Sequence, residues 1–227
     1  MIPRVLFIHR SCGANLLSQG RVRELLPKHE VAFSDYDNNK HALTGPDGRT
    51  TSFTIPLSGD NTTPTAYATF FSEYNAHDPQ LQILLRDYDT MVIKSCYTAN
   101  AIQSDADLEK MHDDYESIIK FFHDRVHLAL GIVTTPPLHP KKTNAAEATR
   151  ARRLANWLET TDFGPNIRVF DFYGQLADDH TNMLASEYQR LITRFGIKDS
   201  HPNAHANHIL GPAFAEWVRD LPRPALT

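Results

Sequence analysis

The chain has 227 residues, 41% hydrophobic and 22% charged, a balance that excludes disorder, collagen and coiled coil and suffices for one well-buried core. A formal net charge of −4 provides no strongly basic surface to neutralise a run of phosphates, so neither nucleic acid nor an anionic membrane is an expected partner. Two cysteines are too few for a disulfide scaffold, and twelve histidines are the unusual feature.

Arg4 to His9 is a short apolar run, followed by Ser11-Cys12-Gly13 and the helical spacing of Val22, Leu25 and Leu26; it reads as strand, small-residue turn, helix. Val31-Ala32-Phe33 opens a weaker second strand. The stretch from Asp35 to Pro64, rich in Asp, Asn, Gly, Thr and Pro, reads as a long surface loop. Ala66 to Leu85 predicts a helix broken at Asp78-Pro79, with Phe70, Phe71, Tyr74, Leu81 and Leu84 turned to the core. Asp89 to Ile93 is a third strand. Ser104 to His123 is a helix in which Ser104, with Asp107, has the look of an N-cap. Leu128 to Thr134 is a fourth strand stopped by Pro136-Pro137, Ala145 to Leu158 a helix, and Ile167 to Phe172 a fifth strand. A last helix follows Pro202 and runs to about Leu221.

Strands that are continuous apolar runs alternating with helices imply a parallel sheet covered on both faces, here a single three-layer α/β domain over residues 1–227. No apolar run approaches the roughly 20 residues of a membrane helix. Met1 leads straight into Arg4-Val5-Leu6-Phe7-Ile8 without a signal-peptide h-region or cleavage site, so the expectation for the chain as given is cytoplasmic. In such sheets ligands bind outside the carboxyl ends of the strands, which gives weight to the residues just after each strand.

Strand one ends in His9-Arg10-Ser11-Cys12-Gly13. A serine in a strand-to-helix turn can present its hydroxyl to a cleft while the N–H groups of the helix start stabilise an oxyanion; the competing reading is a simple helix N-cap. Near the C-terminus, Asp199-Ser200-His201-Pro202-Asn203 supplies an imidazole to take the serine proton and a carboxylate to orient the imidazole.

Ser11 in an N-terminal strand-turn-helix, Gly59 within Ser58-Gly59-Asp60-Asn61-Thr62-Thr63, and Asp199/His201-Pro202-Asn203 in that order resemble the SGNH/GDSL hydrolase family over essentially the whole chain. The resemblance implies a flavodoxin-like α/β/α sandwich with a five-stranded parallel sheet in the order 2-1-3-4-5. It also implies acyl-ester hydrolysis by a Ser-His-Asp triad without a cofactor. Ser11 matches the nucleophile, His201 the base, Asp199 the orienting acid, and Gly59 an oxyanion-hole glycine. Three departures stand out: His9-Arg10 replaces the family's Gly-Asp before the serine, the final motif is Asp-x-His, and Lys94-Ser95-Cys96-Tyr97-Thr98-Ala99-Asn100 replaces the Gly-x-Asn segment after strand three. The third oxyanion donor is therefore open among Lys94, Ser95, the Cys96 backbone and Asn100, with Arg10 and His9 flanking the site.

The expected substrate is a small-molecule or saccharide ester with a short acyl group; the competing class is a non-hydrolytic carbohydrate binder on the same fold. Arg10, Lys94, Arg49, Lys141 and Lys142 hint weakly at an anionic group on the substrate. His201, His205 and His208 with Asp199 form the metal reading, the weaker alternative. Cys12 and Cys96 follow neighbouring strands, which predicts a thiol pair or a disulfide behind the site, against a role as small buried fillers.

Overall fold

Strand β1, Arg4–His9, runs through the middle of the sheet, and it is apolar from Val5 to Ile8 because both of its faces are covered. The protein is described here by a computed structural model covering residues 2–57, 62–125, 127–191 and 199–222. Parallel neighbours of β1 are β2 (Ala32–Asp37) and, after the short antiparallel strands β3 (Ala42–Thr44) and β4 (Thr50–Thr51), β5 (Thr90–Lys94). Strands β6 (Ala129–Val133) and β7 (Ile167–Phe170) extend the parallel side. The full order is β4-β3-β2-β1-β5-β6-β7.

The five parallel strands thus follow the expected 2-1-3-4-5 order, while the count of five is corrected to seven in a mixed sheet. The two added strands fall inside the segment read as a loop. They are three and two residues long and carry no buried apolar run, so nothing in their periodicity distinguishes them from a turn. The reversal between them is made by Gly48, whose φ of 78° is left-handed and whose N–H donates to the carbonyl of Gly45.

Alternation along each strand divides the core in two. Val5, Phe7, Val92 and Val133 face helices α1 (Ser11–Gln19) and α7 (Ala204–Arg219), through Leu16, Leu17, Leu210, Phe214 and Val218. Leu6, Ile8, Met91, Ile93, Leu130 and Ile132 face the opposite layer. There the chain supplies α3 (Pro64–Phe70), α4 (Pro79–Asp87), α5 (Asp105–His123) and α6 (Ala145–Thr160); the short α2 (Val22–Leu25) lies on the α1 side. Among the described residues no helix is long and apolar enough to cross a membrane.

The predicted helix over 66–85 is two helices, each with its own cap: Thr63 accepts from the N–H of Ala66, and Asp78, ahead of Pro79, accepts from that of Leu81. Tyr74 lies in the turn between them and is 95% exposed, which corrects its placement in the core. Ser104 caps α5 through a reciprocal capping box with Asp107.

Helices α1 and α7 touch backbone to backbone. A Cβ on Gly211 would lie 2.2 Å from the carbonyl oxygen of Gly20 and 2.4 Å from its Cα, so no side chain fits between them. Gly211→Ala is expected to lower stability by about 1–3 kcal/mol in urea denaturation, the usual cost of overpacking; an unchanged midpoint would show that the crossing yields without strain.

Candidate active site

Three segments meet at the carboxyl edge of the sheet: the start of α1, the turn after β5, and the loop before α7. Arg10 occupies the cap position of α1 in extended conformation, and Ser11 is the first helical residue, half-buried, with no hydrogen-bond partner for its hydroxyl among the described residues. The N-cap reading of Ser11 therefore gives way, since Arg10 holds that position. The Arg10 carbonyl accepts from the N–H of Gly13 at 2.7 Å, closing the first turn directly above the His9 side chain. A Cβ at Gly13 would sit 2.5 Å from the Cβ of His9 and 2.6 Å from its Cγ, so the glycine is what lets the turn lie on the imidazole.

His9 is 1% exposed and its Nε2 is 3.0 Å from Oδ2 of Asp35 on β2; the other Asp35 oxygen is paired with Arg23 of α2. Burial pushes His9 down to about 4, so the ring is neutral at pH 7 and donates Nε2–H to the Asp35 carboxylate. His9 thus braces the turn that carries Ser11 and also lines the cavity that opens beside α1. Arg10 sends its Nε to Oδ1 of Asn39 at 2.5 Å, on the stretch after β2.

The turn after β5 holds four of the residues expected to bind substrate or its flanks. Lys94 is 1% exposed, its Nζ donates to the carbonyl of Ser95 at 3.0 Å and lies 5.8 Å from the centre of the Phe172 ring. Burial lowers its pKa. The Ser95 hydroxyl is buried 3.3 Å from the Tyr115 hydroxyl, and the Cys96 N–H donates to the Thr62 carbonyl at 2.7 Å. Asn100 is 2% exposed and its Nδ2 donates to the carbonyls of Thr135 at 2.8 Å and Pro136 at 2.9 Å, which uses both amide hydrogens. Ser95, Cys96 and Asn100 thus have partners within the fold, while Lys94 commits one of its three N–H donors to the Ser95 carbonyl. Gly59 lies outside the described residues.

In the loop before α7, Asp199 Oδ1 is 2.5 Å from His201 Nδ1 and accepts the His201 backbone N–H at 3.0 Å. One carboxylate oxygen thus serves both groups, which is how an Asp-x-His spacing closes. Desolvation pushes Asp199 up, but the two hydrogen bonds from His201 and the charge of Arg190 hold it below the usual aspartate range. The Tyr97 ring stands edge-on to the His201 ring with centroids 4.9 Å apart. His201 is half-buried, and no described residue hydrogen-bonds its Nε2. The loop is pinned from two sides: the His139 N–H donates to the Ser200 hydroxyl, and Asn203 Nδ2 donates to the carbonyls of Glu187 and Gln189.

Cys12 and Cys96 are both buried free thiols, so the pair is present as thiols and not as a bridge. Burial pushes Cys12 up to about 11, Lys94 opposes that push, and Cys96 and Asp199 add to it. A thiol held neutral in this way is a poor nucleophile. The cations considered for an anionic substrate group do not converge on one spot: Arg49 is exposed and paired with Asp47, and Lys141 and Lys142 are exposed. His205 and His208 are exposed on α7, and among the described residues no group of three His, Cys, Asp or Glu is placed to hold a metal ion. A cavity of about 280 Å³ opens on the flank of α1, lined by Ala14, Ser18, Arg21, Asp37, Lys40 and Thr44 among others. Ala14 and Ser18 follow Ser11 by three and seven positions and share its face of the helix.

No protein-family model matches the chain, and no curated protein matches it. Solved structures do. A candidate acylhydrolase from Bacteroides fragilis aligns with a TM-score of 0.54 at 12% identity, over 95% of this chain and 86% of its own. A GDSL-like lipase from Bacteroides thetaiotaomicron gives 0.55 at 9% identity over 95% and 87%, and a Streptococcus pneumonia protein described as a platelet activating factor gives 0.56 at 10% over 96% and 85%. At these identities the likeness shows the fold alone, an α/β/α sandwich shared with these structures.

The neutral His9 links stability to pH. Its unfolded value is near 6.5 and its folded value about 4, so it contributes stability above pH 6.5 that is lost as pH falls toward 4. Between pH 7 and 4.5 the loss from this group is about 2 kcal/mol. His9→Asn, which keeps a donor to Asp35 without titrating, is expected to be less stable at pH 7 yet to lose less on acidification in the same denaturation assay. Parallel pH profiles for the two proteins would refute the assignment.

Proposed function

We propose that the protein is a serine hydrolase of acyl esters, with Ser11 as nucleophile, His201 as base and Asp199 as the acid that orients it. The observation that carries the reading is the 2.5 Å contact of Asp199 Oδ1 with His201 Nδ1, which puts the exchangeable face of the ring, Nε2, on the side away from the carboxylate. Ser11 Oγ attacks the ester carbonyl as His201 Nε2 takes its proton. The alkoxide leaving group then receives that proton, and a water activated by the same nitrogen releases the acid from Ser11.

The tetrahedral oxyanion is held by the backbone N–H of Ser11 at the start of α1, where the dipole of the nine-residue helix adds its positive end. For the alcohol part of the substrate, the cavity beside α1 supplies Ser18, Thr44, Asp37, Lys40 and Arg21, an alternation of donors and acceptors suited to a hydroxylated group such as a saccharide carrying a short acyl ester.

A fluorophosphonate probe is expected to label the wild-type protein at Ser11 and to leave Ser11→Ala unlabelled. Hydrolysis of a short-chain aryl ester should fall by about a thousandfold or more in Ser11→Ala and His201→Ala. A wild-type protein that is folded, unlabelled and inactive would instead support the non-hydrolytic carbohydrate binder; wild-type rates in Ser11→Ala would remove Ser11 from the chemistry.

A further inference from the structure

The Asp199–His201 pair has a third member. Arg190 Nη1 donates to Asp199 Oδ2 at 3.2 Å, the oxygen that His201 leaves open, and Arg190 Nε donates to the carbonyl of Pro202 at 3.3 Å. The guanidinium therefore grips the carboxylate and, through Pro202, the chain on the far side of His201. The segment that carries it is itself tied to the loop, for the N–H of Asn203 donates to the Tyr188 carbonyl at 2.8 Å. The arginine is about one-third exposed, the aspartate about one-quarter, so the pairing is only partly screened by water.

We propose that Arg190 is a positioning residue which clamps the carboxylate of the Asp199–His201 pair and tempers the base that the pair provides. The inference rests on the reading of His201 as the base. An arginine on Oδ2 fixes the carboxylate plane, so that Oδ1 stays aligned with Nδ1. Its positive charge also offsets part of the negative field that stabilises the imidazolium, and repels the imidazolium directly.

The other groups that face the pair come from three elements. Tyr97, after β5, lies edge-on to His201; Cys12, in the first turn of α1, is near enough to feel both Asp199 and Arg190; and Arg10 reaches the Tyr97 side of the cluster. Burial raises both Tyr97 and Cys12, so each is neutral at pH 7 and leaves the field at the pair to the charged groups.

The test is an NMR pH titration of the His201 ring in the full-length protein, with the aryl-ester kcat/KM profile measured in parallel. In Arg190→Met the His201 midpoint is expected to rise by about one pH unit and the acidic limb of kcat/KM to move with it. Arg190→Lys should return most of the shift. Arg190→Gln keeps donors toward Pro202 and Asp199 without the charge, so it should rise as the methionine variant does and serves if that variant fails to fold. An unchanged or lowered midpoint in the uncharged variants overturns the proposal, including the case in which activity falls evenly at every pH. If the wild-type protein hydrolyses no ester, the reading of His201 as base fails, while the NMR midpoint still decides whether Arg190 sets the basicity of the ring.

Discussion

The packing of the His9 ring beneath the first turn of α1 is the contact on which the position of Ser11 depends. The central strand β1 ends there, and the chain must leave the sheet and start a helix within two residues. A side chain at position 13 would lift the helix off the ring, so the glycine and the histidine are one device. The ring in turn needs a polar partner in a buried place, and Asp35, from the neighbouring strand, supplies it while Arg23 balances the carboxylate. The His9-Arg10 pair before Ser11 is thus absorbed as packing: the histidine turns inward and the arginine outward to Asn39.

Most of the sheet was legible because fully buried parallel strands are uninterrupted apolar runs. Leu128 to Thr134 and Asp89 to Ile93 could be nothing else at that length, and their ends moved by no more than a residue or so. The β3–β4 hairpin was illegible for the opposite reason, having two edge strands with little to bury. Strand β2 shows an intermediate case. Phe33, Asp35 and Asp37 share one face, and two carboxylates on a face that begins with a phenylalanine look like loop, although all three are buried. Charged side chains at alternate positions after an apolar residue were the available signal that this strand continued into a polar site.

At the site, sequence reasoning found what lies close in sequence and missed what comes from elsewhere. Asp199 and His201 are two residues apart and meet in the fold. Asp35, Arg23, Arg190 and Tyr97 come from distant elements, and no local pattern pairs an arginine nine residues away with a carboxylate across a loop. An amide, a hydroxyl and an amine all suit an oxyanion, and burial divides them: the Asn100 amide has both hydrogens on carbonyls, whereas the Lys94 ammonium spends one of its three on the Ser95 carbonyl.

The molecule contains the same three-residue arrangement twice, Arg23–Asp35–His9 and Arg190–Asp199–His201, with the arginine on one carboxylate oxygen and the imidazole on the other. Burial separates their uses. His9, at 1% exposure, is costly to charge and has a neighbour at each ring nitrogen. His201 keeps its side chain 18% exposed and turns a single nitrogen to its carboxylate. A base has to be charged for part of each cycle, and the half-buried pair can meet that condition where the buried one cannot. The fold thus places one pair under Ser11 as a brace and leaves the other half-buried, with one ring nitrogen turned away from its carboxylate.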